Sequence, residues 1–78
     1  MITNKIKSVL ALNGKNLTDY AEVLNKTKQS LNAKVQKETY TASDLIKLCD
    51  MLNYSLTIKD NQTGKEIVSF DMSDIKKD

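Results

Sequence analysis

The 78-residue chain has no arginine, no histidine, no proline and no tryptophan, and its only cysteine is Cys49. Each absence removes a chemistry. Without histidine there is no Ser-His or Cys-His nucleophile pair and no imidazole metal ligand. A lone cysteine cannot close an internal disulfide, so a stapled secreted miniprotein is excluded. No apolar run approaches the roughly 18 residues that a membrane-spanning helix needs. The opening residues, Met1 to Lys5, carry no signal-peptide core, so a cytoplasmic protein is expected. Ser, Lys and Asp are frequent, but no pair stands in an activated arrangement. Neither an enzyme nor a cofactor or small-molecule substrate is expected.

What the chain does have is lysine. All twelve bases are Lys, against ten acids, for a net charge of +2. The distribution says more than the total. Residues 1–40 hold seven Lys and three acids, a net of +4, whereas residues 41–78 hold five Lys and seven acids, a net of −2. A polyanionic partner would meet the first half. The length allows one small domain, 1–78, whose core supplies only a few kcal/mol unless its helices pack efficiently or a partner shares it.

Periodicity divides the chain into elements. Ile2, Ile6, Val9 and Leu10 recur at helical spacing, and Asn13-Gly14 supplies a stop. A second short helix starts after Asn16, with Asp19 answering it as in a capping box and Tyr20, Ala21 and Leu24 along one face. Asn25-Lys26-Thr27 reads as a tight turn in which Asn takes a left-handed conformation and Thr caps the next helix. That third helix runs from Lys28 to about Gln36, with a thin apolar side of Leu31 and Val35. A fourth starts at Thr41-Ala42-Ser43-Asp44, follows Leu45, Leu48, Cys49 and Leu52, and ends at Asn53. Cys49 on this stripe is expected to be a buried, inert thiol.

From Tyr54 the period becomes two. Tyr54, Leu56 and Ile58 alternate with polar residues, as do Val68, Phe70 and Met72, and Asp60 to Lys65 forms a turn in which Gly64 suits positive φ. The expected fold is mainly α: a helical core over 1–53, a β-hairpin over 54–72 and a frayed tail over 73–78.

The second and third helices, joined by a short turn, form a helix-turn-helix pattern. Ala21 is small where one helix crosses the other, and Leu24 and Leu31 lock the pair. The stretch Asn16 to Leu24, the stretch Lys26 to Lys37 and the capped helix Thr41 to Leu52 resemble the Cro-like (XRE-like) helix-turn-helix family of phage and mobile-element repressors. Gln29 to Lys34, Ala42 to Leu48 and the Asp60 to Lys65 turn are similar to a small subgroup that ends in a hairpin. Three positions depart from the family pattern: Asn25 replaces a common Gly, Lys26 an aliphatic residue, and Leu17 a phosphate-contacting Gln.

The resemblance implies a four-helix, lambda-repressor-like domain that binds double-stranded DNA. It puts Lys28, Gln29, Asn32 and Ala33 against base edges. Gln and Asn can bond adenine N6 and N7, and an Ala methyl can meet a thymine methyl. Lys26, Lys34 and Lys37 suit phosphates as flexible point charges, and Asn16, Thr27, Ser30 and Tyr40 join them. Each has a plainer alternative: a solvated helix face, a helix cap for Thr27, simple packing for Tyr40.

A two-stranded hairpin is marginal alone, so Val68, Phe70 and Met72 are candidates for a homodimer contact. The alternative is that the hairpin covers only its own chain. The function expected is a sequence-specific regulator of transcription, a repressor. The competing reading is a protein-interaction module, an anti-repressor or adaptor, that keeps the fold without binding DNA.

Overall fold

The computed structural model describes residues 1–75. It holds four helices, α1 (Ile2–Leu12), α2 (Leu17–Val23), α3 (Lys28–Lys37) and α4 (Ala42–Met51), followed by two strands, β1 (Leu56–Lys59) and β2 (Glu66–Phe70). The expected mainly helical fold with a C-terminal hairpin is the one observed. No helix among the described residues is long and apolar enough to cross a membrane. The chain gathers into two compact units, Met1–Thr41 and Ala42–Asp78, so the division falls before α4 rather than between the helices and the hairpin.

Helix ends in the first unit are written locally. Asn16 accepts the Asp19 N–H at 3.0 Å while the Asp19 carboxylate accepts the Asn16 N–H at 2.9 Å, a reciprocal cap for α2. After α1, Gly14 (φ 69°) turns left-handed, and the Lys15 N–H reaches the Leu10 carbonyl at 2.8 Å. After α2, Asn25 (φ 56°) repeats the device, with the Lys26 N–H on the Ala21 carbonyl at 3.0 Å. Both are Schellman closures, which satisfy carbonyls that the helix leaves orphaned. The core of this unit is Ile6, Leu10, Tyr20, Ala21, Leu24 and Leu31, all buried. Ile2, expected on the apolar stripe of α1, is exposed, and Thr3 is buried in its place.

The reason lies at the N-terminus of α1. Met1 offers no side-chain cap. The cap comes instead from Glu38, whose carboxylate accepts the Thr3 N–H at 3.1 Å and the Ile2 N–H at 3.4 Å. The Thr3 hydroxyl donates to the Val35 carbonyl at 3.2 Å and lies 2.7 Å from the Tyr40 hydroxyl. With its own proton on Val35, the Thr3 oxygen is left to accept from Tyr40. This latch ties the start of α1 to the end of α3, and holds Glu38 in the left-handed region at φ 54°.

The Glu38 carboxyl is held below the ordinary glutamate range. The Thr3 backbone N–H is the main cause, outweighing a partial burial that acts in the opposite sense; the Thr3 side chain and the Ile2 N–H add to it. A lowered folded-state value means stability that is present above the unfolded glutamate value and lost as pH falls through the folded one. Urea midpoints should therefore drop between neutral and acid pH by more in the parent chain than in a Glu38→Gln variant. Equal drops would show that the carboxylate cap contributes nothing.

In the second unit, α4 buries Asp44, Ile46 and Leu48, with Leu52 just beyond its end. Leu45 and Cys49 are only half-buried, so the inward stripe is rotated from the one expected and takes in Ile46. Partial burial pushes the Cys49 thiol up, away from the reactive thiolate. Asn53 (φ 61°) closes the helix, with the Tyr54 N–H on the Cys49 carbonyl at 2.8 Å.

The hairpin is antiparallel and pairs Leu56 with Phe70 and Ile58 with Val68 on one face. The register then slips between Ile58 and Lys59, because Lys59 pairs with Glu66 and Ile67 is left over as a bulge. Its turn is fixed by Asp60, which accepts the Gln62 N–H at 2.8 Å, and by Gly64 at φ 74°.

Tyr54 and Met72 lie outside the strands. Met72–Asp74 instead forms a single 3-10 turn capped by Asp71, which accepts the Ser73 N–H at 2.9 Å while Asp74 accepts the Asp71 N–H at 2.8 Å. The expected fraying therefore does not begin at Ser73. Lys76 to Asp78 of the expected tail lie outside the described residues.

Candidate nucleic-acid interface

Thr27 sets where α3 begins. Its hydroxyl oxygen accepts the Ser30 N–H at 3.1 Å and donates to the Ser30 hydroxyl at 3.0 Å. Leu31 is the one residue of α3 that is buried, with no exposed area. Lys34 and Val35 are half-buried, and every other position of the helix faces solvent. At about 100° per residue, Lys28, Asn32, Gln36, Gln29 and Ala33 follow one another around an arc of about 140°. The four residues expected at base edges thus lie on one exposed face. Gln36, which sequence reasoning left out, sits in the middle of it. Its signal was available: it stands eight positions after Lys28 and four after Asn32.

The residues expected at phosphates divide by position. Lys26 is exposed in the turn before α3, and Lys37 at its last residue. Lys34 and Lys37 occupy the last turn, where positive charge favours the helix dipole. Asn16 and Thr27 are exposed but have their side-chain oxygens committed to caps, as does the Ser30 hydroxyl to Thr27. Tyr40 is half-buried with its hydroxyl bonded to Thr3, so packing, the plainer alternative, describes it. No acid occurs from Lys26 through Lys37, and the first acid beyond, Glu38, has its carboxylate turned onto α1.

Beside the start of α3 lies an open cleft of about 470 Å³, lined by Lys7, Leu10, Ala11, Lys15, Asn16, Leu17, Thr18 and Lys28. Lys7 and Lys15 extend the positive surface beyond the lysines that the sequence pattern had singled out. Among the described residues there is no group of three or more acids or cysteines placed to hold a metal.

No protein-family model matches the chain, and no curated protein or solved structure matches it.

Proposed function

We propose that this chain is a sequence-specific regulator that binds double-stranded DNA, a repressor that occupies its operator with α3 in the major groove. One observation carries the reading. The exposed face of α3 is a contiguous set of Lys, Gln, Asn and Ala side chains with no acid among them, held from behind by Leu31. Amide side chains in an acid-free field suit a surface that must bond base edges beside phosphates. A solvated helix in a protein of this charge balance would be expected to mix both signs. In this reading the chain works in the cytoplasm, carries out no catalysis and needs no cofactor.

Selection of bound duplexes from a random pool tests it. A defined, A·T-leaning site is expected, because Arg, the residue that most often reads guanine, is missing. A pool that stays random after repeated rounds would overturn the reading in favour of a protein-interaction module.

A homodimer through the hairpin belongs to the same proposal. Ile58 and Val68 form a cross-strand pair that is 53% and 45% exposed, and Met72 is 44% exposed. Of the three expected contacts, Val68 and Met72 are open to a partner and Phe70 is half-buried; Ile58 and Ile67 are exposed beside them. Two-fold proteins select two-fold sites. Sedimentation should give a dimer that Val68→Asp converts to a monomer, and a parent chain that is monomeric with and without DNA would refute it.

A further inference from the structure

The cleft of about 470 Å³ in the first unit has an apolar lining that the DNA reading leaves unused. Leu10, Ala11 and Leu17 give it that apolar lining, and Lys7, Lys15 and Lys28 line it with them. No carboxylate lines it. The nearest acid in sequence, Asp19, has its carboxylate on the Asn16 N–H at 2.9 Å. A bare inorganic anion would use the lysines and leave the apolar lining wet. A neutral apolar molecule would use the apolar lining and gain nothing from the charge. The occupant that satisfies both is a small amphipathic anion, with one carboxylate or sulfonate on an aliphatic or aromatic body. The volume is in the range of about 300–1,000 Å³ over which proteins hold small ligands.

We propose that this cleft is a binding site for a small amphipathic carboxylate, its head among Lys7, Lys15 and Lys28 and its body on Leu10, Ala11 and Leu17. Lys28 belongs also to the exposed face of α3. A ligand seated there draws that ammonium away from DNA and places a negative charge beside the helix. The site is then an effector site whose occupancy opposes operator binding. That consequence rests on the DNA reading, but the binding itself does not.

Amide NMR titration of the full chain separates the two. The probes are decanoate, acetate as the head without the body, and decylammonium as the same body with opposite charge. Decanoate should shift the amides of Lys7, Ala11, Lys15, Leu17 and Lys28 saturably, with acetate and decylammonium leaving them in place at equal concentration. Lys7→Gln with Lys15→Gln, at two exposed positions, should weaken decanoate about five- to tenfold while leaving the rest of the spectrum unchanged.

Shifts that gather on Ile58, Ile67 and Val68, an equal response to decylammonium, or unchanged affinity in the double variant would each overturn the site. The titration contains no DNA and the pool selection contains no decanoate, so failure of one leaves the other standing. If both succeed, decanoate should release the selected duplex from the parent chain, and about five to ten times more decanoate should be needed to release what the double variant binds.

Discussion

Alanine at both Gln29 and Asn32 should cost the selected duplex about one to four decades of affinity per recognition helix, since a good bidentate base contact is worth about 1–3 kcal/mol and each 1.4 kcal/mol is tenfold. Both side chains are exposed and uncharged, so neither the fold nor the attraction to phosphate changes with them. A scrambled duplex should therefore bind the variant as it binds the parent. Lys26→Gln with Lys37→Gln should do the reverse. It weakens selected and scrambled duplexes alike and flattens the salt dependence by about 0.9 of log affinity per log salt for each phosphate that is no longer neutralised. Anisotropy titrations of both duplexes at several salt concentrations measure all of this at once. If the Gln29/Asn32 variant lost the scrambled duplex as steeply as the selected one, α3 would not be reading bases.

The local parts of the fold were legible in the sequence, and the long-range parts were not. Asn13-Gly14, Asn25 and Asn53 announce helix ends because Gly and Asn enter the left-handed region cheaply, and Gly14, Asn25 and Asn53 all do so. Glu38 ends α3 in the same conformation with no such propensity. It is held there by Ile2 and Thr3, more than thirty positions away, which no local pattern encodes. The same bonds explain why Thr3 is buried and Ile2 is not.

On the hairpin, alternation places Leu56, Ile58, Val68 and Phe70 on one face correctly. The bulge at Ile67 has no signature in a run of apolar residues. The candidate interface follows the same division. Its exposed face could be read from spacing, whereas the removal of Tyr40 into the Thr3 latch and the gathering of Lys7, Lys15 and Lys28 around one cleft depend on packing between helices.

That packing has one dominant anchor on the side of α3, and its removal should produce the largest loss of stability. Leu31→Ala deletes a side chain with no exposed area, and such truncations cost about 2–5 kcal/mol, the spread reflecting how far the site can collapse. A small domain has only about 5–15 kcal/mol to begin with. Beyond Leu31, α3 is held by its Thr27 cap and by the latch at its end, with no acid in its first turn to favour the dipole and Val35 only half-buried behind it. Urea unfolding should show the midpoint falling steeply for Leu31→Ala. Leu12→Ala, at a position 78% exposed, should stay within about 0.5 kcal/mol of the parent. The Leu31 variant should also lose DNA, but together with its helical signal, which the Gln29/Asn32 variant keeps. A Leu31→Ala chain that unfolds at the parent's urea concentration would mean that α3 is held by something other than its single buried side chain, and the display of its polar face would need another cause.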